Sequence, residues 1–199
     1  MKKTLLTLTA LFASAAVFAQ GQSTIQSWDF NSGIPTGWTQ STSATDGGFQ
    51  AGSASSMSSQ YFTITDPGSN IVGTNDDDCN CDKSDEYLIT DTINLSNYSV
   101  LHATFKSFYF GATYNNATEA AEFLYTTNGG TTWTSLADIT PGADWTSQWI
   151  DISAACGNSN VQFAFNYQDA GGWLYGLGID DFSIFVFHWV QKYFQISVK

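Results

Sequence analysis

Short runs of aromatic and β-branched residues, separated by clusters of Gly, Asn, Asp, Ser and Thr, recur along almost the whole chain. This pattern is typical of β-strands joined by turns. The expected strands lie at residues 23–29, 60–64, 87–90, 100–110, 122–126, 148–152, 161–167 and 179–187. Many short strands at regular spacing predict an all-β fold, specifically a jelly-roll β-sandwich.

Three stretches carry more detailed expectations. In 161–167, apolar residues alternate with Gln162, Ala164 and Asn166, which predicts one buried face and one wetter face. The stretch 41–59, rich in Ser, Gly and Ala, is expected to form a long surface loop. Residues 115–122 suggest a short helical turn.

The N-terminus has the form of a signal peptide: two lysines, an apolar stretch over 4–18, and small residues at Val17 and Ala19. We expect cleavage after Ala19, since the apolar stretch is short for a transmembrane anchor. The leader is therefore 1–19, and the protein is expected to be exported.

The remaining residues are expected to form one jelly-roll domain over 20–185, followed by an atypical tail over 186–199. The tail holds two of the six lysines. It is either an extra strand or a segment in which the natural sequence was truncated or altered, and we favour the second interpretation.

The charge balance excludes one class of partner. The chain has 18 Asp and Glu against six basic residues, all lysines, for a formal net charge of −12. Nucleic acid binding needs a basic face, and anionic membrane surfaces also attract basic residues. We therefore expect no nucleic acid binding and no binding to anionic membrane surfaces. Membrane insertion is not expected either, because no window after the leader is long and apolar enough to span a bilayer. We make no prediction of oligomeric state.

The densest group of acids lies at residues 76–86, where six carboxylates fall within eleven residues. Hard cations such as Ca²⁺ are the usual reason to gather carboxylates on one loop. An EF-hand is excluded, because Cys81 stands where its glycine belongs and Tyr87 where its glutamate belongs. The alternative is a solvated acidic loop. The candidate calcium ligands here are Asp76, Asp78, Asp82 and Asp85.

A second acidic pair, Asp180 and Asp181, interrupts an apolar run. In a strand one of the two must point inward, and an inward carboxylate needs a cation or hydrogen-bond donors. Asp29 poses the same problem near the first strand. We expect Asp29, Asn31 and one of Asp180 and Asp181 to contribute to a structural Ca²⁺ site; the alternative is a hydrogen-bonded turn.

Three cysteines, Cys79, Cys81 and Cys156, lie in a chain that is expected to be exported. Cys79 and Cys81 are too close in sequence for easy bridging, so one of them is expected to pair with Cys156. The third thiol has no assigned role.

Residues 126–133 fit the Asp-box pattern, in which Asn128 and two glycines form a hairpin turn and Trp133 packs beneath it. Sialidases carry several copies of this motif and an arginine triad, whereas this chain has one copy and no arginine. The motif is therefore expected to have a structural role and does not indicate a sialidase.

Other aromatic residues lie in or near Gly- and Asp-rich loops, where flat rings stack on sugars: Trp145, Trp149, Trp173 and Tyr175. Trp173 and Tyr175 are the best candidates, although most tryptophans in a sandwich belong to the core.

Catalytic patterns are missing from the sequence. There is no zincin, nucleophile-elbow or P-loop motif. The only glutamates are Glu86, Glu119 and Glu122, and no close carboxylate pair can be assigned acid and base roles. An enzyme is therefore not expected.

Taken in order, four segments resemble the MAM-like "choice-of-anchor J" and cleaved-adhesin modules of secreted Bacteroidetes proteins. They are WDFNSGIPTGW at 28–38, the acidic loop with YLITD at 87–91 and INLS at 93–96, the Trp133 hairpin, and GIDDF at 178–182. The resemblance implies a jelly roll of MAM-like or galactose-binding-like type, often stabilised by calcium. Asp29, Asn31 and Asp181 fall where the family's calcium ligands are expected, and Asp91 departs from the family's usual proline.

The same resemblance implies a non-enzymatic adhesion module that binds an extracellular glycan or protein. Such a module is secreted or on the cell surface, or periplasmic if no sorting domain exists. The alternative is an accessory domain of a larger secreted hydrolase or peptidase.

Overall fold

The computed structural model describes residues 16–193 of the 199-residue chain. Thr24–Val186 forms one compact unit. A second unit consists of Met1–Ser23 and Phe187–Lys199, and its described parts, 16–23 and 187–193, are extended strand. Residues 1–15 of the expected leader and 194–199 of the expected tail lie outside the described residues, so the leader, domain and tail boundaries stay predictions.

Thirteen strands follow one another over the described residues. They are β1 (Ala16–Trp28), β2 (Thr39–Ser41), β3 (Gln50–Ser53), β4 (Asn70–Asn75), β5 (Glu86–Ile89), β6 (His102–Tyr109), β7 (Thr113–Tyr114), β8 (Ala117–Thr118), β9 (Ala120–Thr126), β10 (Thr134–Asp138), β11 (Thr146–Asp151), β12 (Gln162–Gln168) and β13 (Gly176–Tyr193). One helical turn, α1 (Asp76–Cys79), and 3₁₀ turns at Ala54–Ser56 and Ser153–Ala155 complete the described elements. No described helix has the length and hydropathy needed to cross a membrane.

Eleven of the strands form two sheets. The first has the order β11-β6-β13-β4-β3, with β1 also paired to β13, and the second has the order β10-β9-β12-β5-β2. β7 and β8 form a separate hairpin. Neighbours that are distant in sequence, such as β6 and β13 or β5 and β12, pair antiparallel. These sheets confirm the predicted all-β, jelly-roll β-sandwich.

Phenylalanine side chains from both sheets meet in the core. Phe105 of β6 and Phe182 of β13 face Phe123 of β9 and Phe165 of β12, and all four are buried. The Phe105 and Phe165 ring centroids lie 5.0 Å apart, and those of Phe123 and Phe182 lie 5.5 Å apart. Edge-to-face pairs of this kind add to the free energy gained from burial.

The alternation predicted for 161–167 is half right. Gln162 is half-buried, as expected for a wetter face, but Ala164 and Asn166 are buried. Asn166 Nδ2 donates to Glu86 O on the neighbouring β5 at 3.0 Å, which satisfies the amide away from water. β12 is thus a central strand with both faces covered.

The strand predicted at 60–64 is wrong, although the alternation behind it is real. Phe62 and Ile64 are buried while Tyr61 is exposed, but these residues pair with no strand. Tyr61 N instead donates to the Asp77 carboxylate, and Ile64 N donates to Ser58 Oγ. Side chains therefore satisfy the backbone donors that a neighbouring strand would otherwise have paired.

Two other local expectations are also wrong. The stretch 41–59 contains β3 and a 3₁₀ turn, and not a continuous loop. Residues 115–122 form the turn between β7 and β8, then β8 and the start of β9. Asn115 and Asn116 have φ of 49° and 70°, as a two-residue type I′ turn requires, and asparagine tolerates this conformation.

Candidate functional site

The acidic segment begins as the single turn of α1, directly after β4. Asn75 caps this turn, since its Oδ1 accepts from Asp78 N at 3.0 Å, and Asn80 ends it with a φ of 46°. The turn directs Asp76 into the protein, where it is fully buried, and leaves Asp78 exposed. Carboxylates that are adjacent in sequence therefore point in different directions.

The structure does not bring the four predicted ligands of this segment together. Asp76 is buried while Asp78, Asp82 and Asp85 are exposed, and no three of them have carboxylate oxygens within 4.8 Å of one another. Among the described residues, the one group of three potential metal ligands whose atoms lie within 4.8 Å of one another is Asp46 with Cys79 and Cys81. Its two sulfurs are bonded to each other and are not free to bind an ion. The structure therefore does not gather the predicted ligands of this segment, and calcium binding here stays a prediction.

The expected bridge to Cys156 is wrong. The disulfide joins Cys79 to Cys81, whose Cα atoms are 5.1 Å apart, and Cys156 is a free thiol. The left-handed residue Asn80 reverses the chain between the two cysteines and brings them to a distance that a disulfide spans. Sequence spacing alone overlooked this turn.

The second acidic pair lies at a bulge in β13, where the register against β6 shifts between Asp180 and Ser183. Asp180 points inward, as predicted for one of the pair, and its carboxylate accepts from Ser69 Oγ and Asp181 N. Burial raises the pKa of Asp180. Asp181 has a φ of 52° and points outward, where it forms an ion pair of 2.7 Å with Lys106.

Asp29 and Asp181 line one groove of about 510 Å³ beside the end of β1. Hydrogen bonds from the Asn31 side chain and backbone hold the pKa of Asp29 below its ordinary value. Asn31 Oδ1 accepts from Asn70 N, so this amide fastens the turn to β4. The structure therefore brings together Asp29 and Asp181, and it engages Asn31 and Asp180 elsewhere.

Three buried carboxylates, Asp76, Glu119 and Asp169, hold the loop between β12 and β13. Asp76 Oδ2 accepts from Leu174 N, and Glu119 Oε2 accepts from Gly176 N at 3.3 Å. Asp169 Oδ1 accepts from Gly171 N at 2.9 Å, and its Oδ2 accepts from Lys83 N at 2.9 Å. The loop is thereby fastened to α1, to the residue that precedes β9 and to the acidic segment.

Removal from water dominates the electrostatics of these carboxylates. Burial raises the pKa of Asp76 to about 6, with the hydrogen bond from Leu174 opposing the shift and the charge of Asp169 adding to it. Burial also raises the pKa of Glu119, and that of Tyr167, which donates to Glu119 Oε2 at 2.8 Å, lies well above its usual value. Asp76 Oδ1 has no hydrogen-bond partner within the described part of the chain.

A buried lysine joins the acidic segment to the stretch that precedes β3. Lys83 is fully buried, and its Nζ lies 2.8 Å from Asp46 Oδ2 and 3.5 Å from Glu86 Oε1. Glu86 also accepts from Thr42 Oγ1 and Thr74 Oγ1, so its charge is well compensated. The ion pairs of Lys83 with Asp46 and Glu86 anchor the C-terminal part of the acidic segment.

An aromatic groove of about 350 Å³ lies above this anchored region. It is lined by Tyr61, Asp77, Tyr114, Trp173, Leu174 and Tyr175. Tyr61, Tyr114 and Trp173 are 60%, 50% and 44% exposed, whereas the phenylalanines that meet in the core between the two sheets are buried. A wider depression of about 850 Å³ shares Tyr114 and Trp173 and continues past Cys81 and Asp82.

Hydrogen bonds hold the exposed rings in place. Trp173 Nε1 donates to Asp77 O at 3.0 Å, and Gln60 Nε2 donates to Tyr61 OH at 3.0 Å. Tyr114 belongs to the β7–β8 hairpin, which a 2.7 Å hydrogen bond between Thr113 and Thr118 also joins. The groove therefore presents flat apolar surfaces on anchored backbone.

The sequence identified only part of this groove. Trp173 and Tyr175 both line it, but Tyr175 packs edge-to-face on Phe110, at 5.2 Å, and belongs partly to a second core cluster. Trp145 donates to Thr65 O and packs on Phe108, and Trp149 is exposed on β11, away from the groove. Tyr61, Tyr114 and Asp77 were missed, and only the alternation in 60–64 indicated that Tyr61 faces outward.

The Asp-box hairpin forms as predicted. Asn128 Oδ1 accepts from Thr132 N at 3.1 Å, and the Trp133 ring stacks on Tyr87, with centroids 5.9 Å apart. Its contacts are structural, and Trp133 does not line the aromatic groove.

No family model and no curated protein matches the sequence. Solved structures match the fold. The K1 cleaved adhesin domain of Lys-gingipain from Porphyromonas gingivalis is 22% identical, with 80% of this chain and 96% of that chain covered and a TM-score of 0.55. The K3 domain of the same protein is 16% identical, with coverage of 83% and 99% and a TM-score of 0.56.

A third similar structure is the CBM22-1 xylan-binding domain of Xyn10C from Paenibacillus barcinonensis. It is 15% identical, with 83% of this chain and 96% of that chain covered and a TM-score of 0.51. At these identities the similarity concerns the fold. The chain has the β-sandwich fold of the cleaved adhesin domains.

Proposed function

We propose that this protein is a non-enzymatic carbohydrate-binding module whose ligand lies in the aromatic groove. The observation that carries the proposal is that three exposed rings, Tyr61, Tyr114 and Trp173, line one groove. Aromatic faces pack against the apolar C–H faces of sugars, and ligand sites combine such surfaces with a few placed polar groups. Asp77 supplies such a group here.

The anchoring of the groove supports this proposal. Ordering a flexible side chain on binding costs roughly 0.5–1.5 kcal/mol. Trp173 is already held by Asp77 O, and Leu174, the next residue, is held by buried Asp76. A ligand that stacks on the Trp173 ring would therefore meet a surface that is already ordered.

The similar folds support the class of function. Two of the similar structures are described as adhesin domains, and the third as a xylan-binding domain of Xyn10C. We propose that this module belongs to the MAM-like choice-of-anchor J group, acts after secretion or on the cell surface, and binds an extracellular glycan. An accessory role in a larger secreted hydrolase or peptidase would use the same groove.

Burial of the carboxylates supports a non-enzymatic role. Asp76 and Glu119 are the acids beneath the groove whose pKa values burial raises, as a general acid would require. Asp76 is fully buried and Glu119 is 3% exposed, and the oxygens of Glu119 accept hydrogen bonds from the protein. Neither carboxylate is accessible to a glycosidic oxygen.

The test is calorimetric titration of the full chain against a panel of soluble polysaccharides. Trp173→Ala removes an exposed ring that lines the groove and is expected to weaken binding by about 2 kcal/mol, roughly thirtyfold. Trp149→Ala is the matched control, because Trp149 is a tryptophan of similar exposure outside the groove. Equal losses in the two variants, or no binding across the panel, would contradict the proposal.

We further propose that the groove lined by Asp29 and Asp181 holds a structural calcium ion. Its lining also includes the hydroxyl residues Ser27, Thr36 and Ser183, so the donors are oxygen atoms, which calcium prefers. When bound, the ion would link the end of β1 to the bulge of β13.

Thermal unfolding with calcium and with EGTA tests this second proposal. Calcium is expected to raise the free energy of unfolding by about 2.7 kcal/mol when its free concentration is about 100 times Kd. Asp29→Asn is expected to abolish the rise, whereas Asp78→Asn, which removes an exposed carboxylate elsewhere, should leave it unchanged. The same melting temperature with calcium and with EGTA would refute the site.

A further inference from the structure

The aromatic groove contains an oriented carboxylate. Ser59 Oγ and Tyr61 N both donate to Asp77 Oδ2, at 2.6 and 2.8 Å. In the described part of the chain both of these hydrogen bonds reach the same oxygen, so Asp77 Oδ1 is left for a ligand. Asp77 is half-buried and lines the groove beside Trp173 and Tyr114.

The charges around the groove have one sign. The aromatic groove and the adjoining depression are lined by Asp77, Asp82 and Asp169, and their described lining includes no lysine, arginine or histidine. Lys83, which donates to Asp169, keeps its ammonium on Asp46 and Glu86 inside the protein. With a net charge of −12 on the chain, the surroundings favour cations and disfavour uronic acids and sulfated sugars.

Aromatic faces next to a carboxylate match the chemistry of an ammonium group. The electron-rich face of a ring attracts a cation, and a carboxylate forms a charge-assisted hydrogen bond with it. A neutral sugar would use the rings of the groove and leave the charge of Asp77 without a counterpart. An acidic sugar would be repelled by it.

We propose that the groove binds a glycan with free amino groups, with a sugar ring on Trp173 and a protonated amine at Asp77 Oδ1. This inference rests on the proposed carbohydrate-binding function and names its ligand class. A hydrogen bond to a charged group contributes roughly 1.5–3 kcal/mol. The amino glycan is therefore expected to bind about tenfold or more tightly than the corresponding hydroxyl glycan.

The experiment compares three oligosaccharides of equal length and similar backbone by calorimetric titration of the full chain. Chitosan oligosaccharide carries amines, cello-oligosaccharide carries hydroxyl groups, and chitin oligosaccharide carries neutral acetamides. At a pH where the amines are charged, chitosan oligosaccharide should bind at least about tenfold more tightly than the other two. Added salt should weaken its binding more than theirs.

Two matched variants place the preference at one carboxylate. Asp77→Asn retains an oxygen that accepts from Ser59 and Tyr61, and it is expected to remove the preference for chitosan oligosaccharide. Asp78→Asn removes the same charge from the next, exposed residue of α1 and should preserve the preference. Equal losses in both variants would mean a long-range charge effect and would overturn the assignment to Asp77.

The outcomes separate this inference from the function on which it rests. Equal affinity for the amino and hydroxyl oligosaccharides overturns the inference and leaves carbohydrate binding intact. Failure to bind chitosan oligosaccharide also overturns it, even if other polysaccharides bind in a manner that depends on Trp173. If Asp77→Asn does not fold, the ligand series and its salt dependence on the unmodified chain still decide the question.

Discussion

Asp76 is expected to make the protein less stable as the pH rises through the mildly acidic range. Its side chain is fully buried, one oxygen accepts from Leu174 N, and the other has no partner among the described residues. Burial raises the pKa in the folded protein to about 6, against an ordinary value of 3.8. The folded state therefore binds a proton that the unfolded chain has already released.

The magnitude follows from that difference of about two pKa units, since each unit corresponds to about 1.4 kcal/mol. Below pH 3.8 both states are protonated and there is no penalty. As the pH rises, the penalty grows, and above about pH 6 it reaches about 3 kcal/mol in the free energy of unfolding. Asp76→Asn is uncharged at every pH and avoids it.

Urea unfolding from about pH 4 to about pH 8 measures the effect as the difference between the variant and the unmodified chain. That difference should be below about 1 kcal/mol at the acid end and should approach about 3 kcal/mol in favour of Asp76→Asn at the alkaline end. Asp78→Asn, which removes an exposed charge from the same turn, should show no such rise. Parallel curves for Asp76→Asn and the unmodified chain would refute the buried-charge argument.

Two further variants, with Lys106→Met as a control, test the anchoring of the acidic segment. Lys83→Met leaves Glu86 without its buried counter-ion, so it is expected to lower the free energy of unfolding, measured in urea, by about 3–5 kcal/mol. Lys106→Met breaks a half-exposed pair with Asp181 and should lower it by less than about 1 kcal/mol. Replacing Cys79 and Cys81 together with serine opens a very short loop and should cost less than about 2 kcal/mol. Similar losses in the two lysine variants, or unfolding of the serine variant, would contradict these expectations.

Strands with strong periodic patterns were predictable from the sequence. β5, β6, β9, β11 and β12 all overlap expected strands, because burial of one face selects aromatic and β-branched residues at alternate positions. The missed strands lack that signal. β2 is exposed and polar, and β3 is short and contains a glycine, so their pairing depends on neighbours that are distant in sequence.

The site was less predictable, because composition gives the density of carboxylates and not their directions. One helical turn places Asp76 inside and Asp78 outside, and the left-handed Asn80 decides which cysteines can meet. Tyr114 reaches the groove through a type I′ turn that the sequence analysis did not identify. That one of Asp180 and Asp181 points inward was predictable, since a carboxylate pair within an apolar strand leaves one member no alternative, but the sequence did not show that it is Asp180.

Burying carboxylates lowers the stability of the folded protein. Their positions indicate a compensating role, which is to order the loop that carries Trp173. The loop they hold contains Gly171 and Gly172, which would leave it flexible, and it carries Trp173. If Asp76 serves to hold this ring, the two substitutions at that position should separate stability from binding. Asp76→Asn still accepts from Leu174 N, so it should keep the glycan affinity of the unmodified chain. Asp76→Ala loses that hydrogen bond, so it should bind glycan more weakly and be no more stable than Asp76→Asn. Identical affinities in both variants would show that Trp173 is held without Asp76.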